Sequence, residues 1–274
     1  MDEKSEQRFL PEYSCVIIPC SALSFQSGIT IDAVNDHPMS KLLAIDASSD
    51  ACSVALYSDG EIRDFYEVVP RQHSVRLFSM LRELLPDGNL RAQGIDAIAY
   101  ACGPGSFTGL RIAASVVQGL AFANQLPAIA VSSLACQAQT AIRSGLVSTG
   151  QNVLSMMDAR MNEIYWAQYR VEGDLPMLTH EPQVGAPQSL YLNGDVDGDL
   201  IGVGSGFTYV SRMPESVSSS LSAVHATVLP SARDLLPLAL RDLQSGRVQP
   251  AKEVAPVYVR EEISWKKIPQ QGRQ

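Results

Sequence analysis

The chain has 274 residues, 46% of them hydrophobic and 18% charged, which suits one large domain or two small ones with a sizeable core. Its formal net charge of −8 argues against a dominant nucleic-acid-binding surface, because phosphate contacts require clustered Lys and Arg. The five cysteines are odd in number and scattered, which favours reduced thiols in a cytoplasmic protein over a disulfide framework.

The first 40 residues are expected to form an N-terminal extension that is disordered, because they show little hydrophobic periodicity. Met1 to Gln7 is acidic where a secretory signal would be basic, and Pro19 interrupts the apolar patch that follows. Neither a signal peptide nor a membrane span is predicted. The rest of the chain is expected to form a first half at 41–145 and a smaller second half, with a C-terminal tail, at 146–274.

The first half begins with three predicted antiparallel strands, after which helices and strands alternate. These elements are strands at 41–48, 52–58 and 61–69, a helix at 73–85, a strand at 95–101, a helix at 110–123, a strand at 127–131 and a helix at 133–143. This order is typical of an RNase H-like or actin-like half domain.

The second half repeats the same theme more loosely. Its predicted strands lie at 152–157, 163–171 and 200–203, and an amphipathic helix at 232–244 is interrupted by Pro237 and preceded by Ser231 as N-cap. We expect this last helix to join the first half. The predicted fold class is therefore α/β, an actin-like (RNase H-like, ASKHA) fold of two unequal halves.

A glycine-rich turn connects the predicted strand at 95–101 to the helix at 110–123. It reads Gly103-Pro104-Gly105-Ser106-Phe107-Thr108-Gly109. In a structural interpretation, the glycines permit a tight turn and Ser106 or Thr108 caps the helix. In a functional interpretation, the free amides of the helix start face a phosphate or a polar group of a partner. The spacing alone favours the structural one, since the turn is neither a P-loop nor a Rossmann fingerprint.

Two groups of polar residues are candidates for chemistry. Asp46 lies at the end of the first strand, with Ser48 and Ser49 in the turn to the second, where actin-like ATPases place a magnesium carboxylate and small groups against phosphates. That these residues satisfy the amides of the turn is an equal alternative. Asp158 and Arg160 flank a strand end, and an ion pair is favoured there over a ligand contact. No nucleophile elbow and no Cys/His pair points to hydrolysis.

Several motifs together resemble those of the TsaB (YeaZ) family. Besides the glycine turn, which continues into Leu110-Arg111, they are Leu42-Leu43-Ala44-Ile45-Asp46-Ala47-Ser48, Arg71-Gln72-His73-Ser74, Asp158-Ala159-Arg160-Met161, Pro256-Val257-Tyr258-Val259-Arg260 and Trp265-Lys266-Lys267, all in the family's order. The resemblance covers the chain from about Lys41 to its end.

The resemblance implies a non-catalytic scaffold or activator. Such a chain forms a heterodimer with the catalytic subunit TsaD and is joined by the ATPase TsaE. The complex transfers threonylcarbamoyl to the adenosine beside the anticodon of tRNAs that read codons beginning with A. Contact with tRNA would then be indirect, and a homodimer in the absence of the partner stays open. The alternative is a stand-alone actin-like ATPase or kinase that uses Asp46; a peptidase is remote.

The resemblance also bears on metals and cofactors. TsaD carries two metal-binding histidines on a segment that resembles 131–137, where this chain has Ser133 and Gln137. Because neither side chain supplies an imidazole, no metal is expected. No cofactor is expected on this chain alone, and the resemblance permits ATP or ADP at the complex interface.

The surface that binds the partner is expected on the helices at 73–85 and 110–123, because both are more apolar than one buried face requires. Cover by helices of the same chain is an equal alternative, which the resemblance outweighs. The predicted interface residues are His73, Leu77, Met80, Leu81, Leu84, Arg111, Ala114 and Val117. We expect a charge at Leu77 or Val117, whichever lies outermost in the structure, to abolish the complex and tRNA modification together while the isolated chain stays folded.

Overall fold

The structure, a computed structural model, describes residues 40–86, 88–194 and 198–259. The predicted extension up to residue 39 and the motif Trp265-Lys266-Lys267 lie outside the described residues.

The described residues form ten strands and five α-helices. The strands are β1 (Leu42–Asp46), β2 (Ala51–Ser58), β3 (Glu61–Val68), β4 (Ala97–Gly103), β5 (Ala128–Ser132), β6 (Asn152–Arg160), β7 (Glu163–Glu172), β8 (Leu175–Gly185), β9 (Leu200–Val203) and β10 (Leu221–His225). The helices are α1 (His73–Leu84), α2 (Phe107–Asn124), α3 (Ser133–Arg143), α4 (Glu215–Ser218) and α5 (Ala232–Gln244). Each helix and strand predicted from the sequence is present, with its ends displaced by three residues or fewer.

The two sheets have the same topology. The first has the order β3-β2-β1-β4-β5, in which β1 is antiparallel to β2 and parallel to β4. The second has the order β10-β9-β6-β7-β8, in which β6 is antiparallel to β7 and parallel to β9. With β6 as the counterpart of β1, each strand of one sheet has an equivalent in the other. The predicted α/β fold of two halves is thus confirmed, and the two sheets have five strands each.

Two strands, β8 and β10, were not predicted from the sequence. Both are edge strands, and β8 contains Pro176 and Pro182, which interrupt the alternating pattern that identifies a strand. A proline is tolerated there because an edge strand leaves part of its backbone unpaired.

The helices cover the sheets in layers. Helices α1 and α2 pack on one face of the first sheet, and α5 packs on the other face through Leu235, Leu236 and Leu238. Helix α3 contributes Cys136 to the core beneath α5 and Leu134 to the core of the second sheet, so it lies between the halves.

Helix α5 differs from the prediction at two points. It continues through Pro237 without interruption, because burial of its apolar side chains against the first sheet outweighs the loss of one backbone hydrogen bond. Ser231 occupies the N-cap position, yet its side chain makes no capping hydrogen bond. Instead, the amide of Ala232 donates to Oγ of Ser53 on β2 at 2.8 Å, which fixes the start of α5 on the sheet.

Candidate functional site

The glycine turn packs directly on the turn between β1 and β2. The amide of Ser106 donates to the carbonyl oxygen of Ser48 at 2.7 Å. A β carbon at Gly105 would lie 2.2 Å from the same oxygen, and one at Gly109 would lie 1.9 Å from the carbonyl oxygen of Ala47. These two glycines are therefore required by a backbone contact within the chain.

The rest of the turn starts α2 and meets the C-terminal segment. Oγ of Ser106 accepts from the amide of Gly109 at 3.3 Å, so Ser106 is the predicted N-cap. A β carbon at Gly103 would lie 2.5 Å from the carbonyl oxygen of Val257. The Gly103–Pro104 peptide bond is cis, and the side chains of Phe107 and Thr108 are exposed. The geometry thus supports the structural interpretation of the turn.

Asp46 lies in the interior, with only 1% of its surface exposed. Its Oδ1 accepts from the amide of Ser48 at 2.7 Å, and Sγ of Cys136 lies 3.8 Å from Oδ2. Burial raises the pKa of this carboxyl group, an effect opposed by the hydrogen bonds from Ser48 and Cys136. Nearby, Oγ of Ser49 accepts from the amide of Ala51. These contacts satisfy the amides of Ser48 and Ala51 within the turn, and nucleotide binding by Asp46, Ser48 and Ser49 stays a prediction.

His73, a predicted interface residue, is buried at the start of α1. Its Nε2 lies 2.9 Å from the carbonyl oxygen of Ser49. Since a carbonyl oxygen only accepts, Nε2 carries the proton and donates. His73 therefore fastens α1 to the turn between β1 and β2 rather than facing a partner.

Asp158 and Arg160 form the predicted ion pair at the end of β6. Oδ1 of Asp158 accepts from the amide of Arg160 at 2.8 Å, and Oδ2 lies 3.1 Å from Nη1. Nη2 of Arg160 also lies 3.8 Å from Oδ1 of Asp50, which connects the second half to the turn between β1 and β2. The arginine is largely exposed, so each contact contributes little to stability.

Ser133 and Gln137 are completely buried on α3. Nε2 of Gln137 lies 2.9 Å from Oγ of Ser155, 3.1 Å from the carbonyl oxygen of Met156 and 3.0 Å from that of Val203. The carboxamide of Gln137 thus joins α3 to both β6 and β9. Within residues 40–86, 88–194 and 198–259, no group of three or more His, Cys, Asp or Glu side chains is placed to hold a metal ion.

An apolar groove of about 440 Å³ lies between α1 and α2. Its floor and walls include Leu81, Leu85, Val116 and Leu120, while Ser115 and Gly119 leave space on the side of α2. Beside the groove, three large apolar side chains are exposed: Val75 (69%), Phe78 (54%) and Phe122 (78%). We call these three residues and the groove the α1/α2 surface.

The structure corrects the residues predicted for this surface. Six of the eight are buried apolar residues of the chain's own core: Leu77, Met80, Leu81, Leu84, Ala114 and Val117. They pack on the first sheet together with Ala113 and Ala121, whereas Val75, Phe78 and Phe122 face outward. Of the six, only Leu81 also lines the groove. Leu77 and Val117 have no exposed surface, so a charge at either position would unfold the chain instead of testing an interface.

The residues missed by the sequence-based prediction had a signal. Val75 and Phe78 lie beside the Leu77 seam on the helical wheel, and Gly119 stands among small residues within an apolar helix. Of the predicted interface residues, only Arg111 is exposed. No helix in the described part of the chain is long and apolar enough to cross a bilayer.

Comparisons with known proteins connect this chain with the modification of tRNA. A family model described as TsaD, tRNA N6-adenosine threonylcarbamoyltransferase, matches residues 61–255. The tRNA threonylcarbamoyladenosine biosynthesis protein TsaB of Escherichia coli is 34% identical over 235 residues, covering 84% of this chain and 98% of that protein. The protein of the same name from Haemophilus influenzae is 35% identical over 236 residues, covering 83% and 97%.

A solved structure is also similar. YeaZ from Pseudomonas aeruginosa shares 43% sequence identity and superposes with a TM-score of 0.73, covering 80% of this chain and 100% of that one. Sequence motifs, the paired actin-like halves and these similarities agree, and the chain belongs to the TsaB (YeaZ) family, with a role in the biosynthesis of threonylcarbamoyladenosine in tRNA.

Proposed function

We propose that this chain is a non-catalytic subunit that forms a heterodimer with a homologous TsaD through the α1/α2 surface. In that complex it activates the transfer of threonylcarbamoyl from its adenylate, with release of AMP, to the adenosine beside the anticodon of tRNAs that read codons beginning with A. The observation that carries the proposal is the apolar groove between α1 and α2, flanked by the exposed side chains of Val75 and Phe78.

An interface explains why these side chains are apolar. Val75 and Phe78 lie on the outer side of α1, away from the sheet that buries Leu77 and Met80. Burial of one such side chain contributes roughly 1.5–3 kcal/mol, which is available to a partner because the folded chain leaves it unused. Stable interfaces have an apolar centre of this kind.

The assignment of chemistry to the partner is supported by the interior of this chain. Asp46 is buried and hydrogen-bonded, and the carboxamide of Gln137 is held by three oxygen atoms. We therefore assign catalysis and metal binding to TsaD, and any ATP or ADP to the interface of the complex. TsaE is the expected third component, tRNA contact is indirect, and the site of action is cytoplasmic. The net charge of −8 fits a subunit that does not itself hold tRNA.

The proposal is tested by reconstitution. The chain and the TsaD homologue of the same cell are expected to co-purify, and tRNA modification should require the chain, TsaD and TsaE together. Each subunit is omitted in turn, with the threonylcarbamoyl nucleoside quantified in digested tRNA. Full modification without this chain would contradict an activating role, and failure to co-purify would contradict the heterodimer.

A further assay addresses the stand-alone ATPase or kinase. The purified chain is incubated with ATP and the released ADP is measured, with Asp46→Asn as the control. We expect no turnover that depends on Asp46, because its carboxylate is enclosed by the turn that follows β1. Turnover that disappears in the variant would favour the enzyme over the scaffold.

A further inference from the structure

Arg111 is held in a fixed orientation on α2 by two aromatic side chains. Its Nε donates to the hydroxyl of Tyr258 at 2.7 Å. Its Cζ lies 3.7 Å from the centre of the Phe107 ring and 5.7 Å from that of Tyr258. A guanidinium group stacked in this way is weakly hydrated and loses little conformational freedom when it forms further hydrogen bonds.

Tyr258 is itself fixed by the segment that carries it. The amide of Val257 donates to the carbonyl oxygen of Cys102 at 2.7 Å, at the end of β4. Ala255, two residues before Val257, accepts a hydrogen bond from the hydroxyl of Tyr100 through its carbonyl oxygen at 3.1 Å. The C-terminal segment therefore crosses β4 and delivers Tyr258 to Arg111, and the orientation of the guanidinium follows from the fold.

Within the described part of the chain, the two Nη groups of Arg111 have no ion-pair partner, although the chain has an excess of carboxylates. The paired Nη groups of a fixed guanidinium match the two oxygens of a carboxylate. The site is therefore suited to bind the carboxylate of an Asp or Glu side chain.

The position of Arg111 relates it to the groove. Arg111, Ser115 and Gly119 follow one another at intervals of four residues and so share one face of α2. Ser115 and Gly119 line the groove. Gly119 lies eight residues after Arg111, which at 1.5 Å per residue places it roughly 12 Å along the helix axis. A helix seated in the groove would thus pass Arg111 at its rim.

We infer that Arg111 is a carboxylate-binding residue that orients the partner in the groove, by pairing with an Asp or Glu on the partner helix. The inference rests on the proposed function, since it assumes that the homologous TsaD occupies the α1/α2 surface. Phe107 and Tyr258 act as positioning residues that hold the guanidinium.

Binding of the full-length chain to TsaD, measured by calorimetry at low and high salt, tests the inference. Arg111→Gln should weaken binding by about tenfold or more, the loss expected for a charge-assisted hydrogen bond, and should reduce the salt dependence of the affinity. The affinity of Arg111→Lys should lie between those of the wild type and Arg111→Gln, because an ammonium group cannot pair with both carboxylate oxygens in the same way. Tyr258→Phe keeps the ring and removes the acceptor, so a smaller loss is expected.

Arg212→Gln is the matched control. This arginine also lies over a ring, that of Tyr209 at 5.4 Å, and its replacement changes the net charge equally on the second half of the chain. Its affinity for TsaD should equal that of the wild type. The acidic residues of the TsaD helices that contact the α1/α2 surface are then replaced one at a time. One of these replacements should weaken binding to the wild-type chain but not to Arg111→Gln.

Other results would overturn the inference. Wild-type complex formation with unchanged affinity and salt dependence in Arg111→Gln would show that Arg111 does not contact the partner. Glu261 and Glu262 follow Tyr258 closely in the sequence. Suppose that replacing both by Gln lowers the melting temperature of the isolated chain as much as Arg111→Gln does, and that combining all three changes lowers it no further. The carboxylate that pairs with Arg111 then belongs to this chain. Absence of any wild-type complex would overturn the proposed function itself, and this inference with it.

Discussion

Gly109 of α2 lies so close to Ala47 that a β carbon on it would be 1.9 Å from the Ala47 carbonyl oxygen. We therefore expect Gly109→Ala to lower the free energy of unfolding by about 2–3 kcal/mol or more, because backbone on both sides must move apart. Urea denaturation of the purified chain measures the effect.

Gly119→Ala is the control for this variant within the same helix. A β carbon at Gly119 would have no atom within 4 Å, and alanine favours a helix interior over glycine by roughly 0.5–1 kcal/mol. The unfolding free energy should therefore rise. Equal destabilisation by both changes would contradict the explanation by close contact.

A charge on the α1/α2 surface should prevent complex formation without unfolding the chain. Phe78 is 54% exposed and lines the groove, so Phe78→Asp should abolish co-purification with TsaD and tRNA modification together, because a carboxylate buried without a partner costs roughly 2–5 kcal/mol. Circular dichroism and the melting temperature of the isolated variant should match the wild type.

Leu178→Asp is the matched control for Phe78→Asp. Leu178 is 45% exposed on β8 in the second half, away from α1 and α2. It introduces the same charge at a similar exposure and should leave binding unchanged. Loss of binding in both variants would point to a general effect of charge rather than to the groove.

Asp46 should make stability depend on pH. Burial raises its pKa in the folded chain above the unfolded value of about 4. Between these two pKa values the folded state binds more protons than the unfolded state, so this group's contribution to the unfolding free energy falls as pH rises through that window. Asp46→Asn cannot ionise and should lose less stability than the wild type as the pH rises above about 4.

Urea denaturation at a series of pH values follows this effect. Asp50→Asn, in the same turn with its side chain about half exposed, serves as the control for removing a carboxylate from this turn. Parallel profiles of the wild type and Asp46→Asn would contradict the burial argument.

Gln137 should be sensitive to the loss of its donor group. Gln137→Glu keeps the shape of the side chain but places a carboxylate against the oxygens of Ser155, Met156 and Val203. A loss of at least about 3 kcal/mol is expected, since a buried charge would lack a partner. In thermal denaturation, Gln139→Glu should be milder, because Gln139 donates only to the carbonyl oxygen of Asp174 among its described contacts. The reverse order would argue against Gln137 as the connection between the halves.

Much of the fold could be predicted from the sequence because its signals are local. The strand β9 and the helices α3 and α5 have the predicted ends, since the apolar periodicity that marks each of them lies within its own segment. Strand β8 could not be predicted, because its pairing with β7 arises from the sheet rather than from its own proline-containing sequence.

The candidate site was predicted at the level of helices and not of residues. Periodicity showed that α1 and α2 carry excess apolar side chains. When a helix has apolar residues on two faces, however, periodicity does not indicate which face packs on the sheet. Leu77 and Phe78 are neighbours in the sequence, and only the packing of α1 on β2 buries the first and exposes the second. The contact between Arg111 and Tyr258 joins residues 147 positions apart and has no local signal.

The position of α5 has a consequence for the order in which the protein is completed during synthesis. The hydrogen bond between Ala232 and Ser53 joins residues 179 positions apart, and Val257 binds at the end of β4. One face of the first sheet, with Leu42 and Ala44, stays uncovered until the C-terminal part of the chain has left the ribosome. The second sheet contains only strands from β6 to β10, so the half that is synthesised later can assemble first.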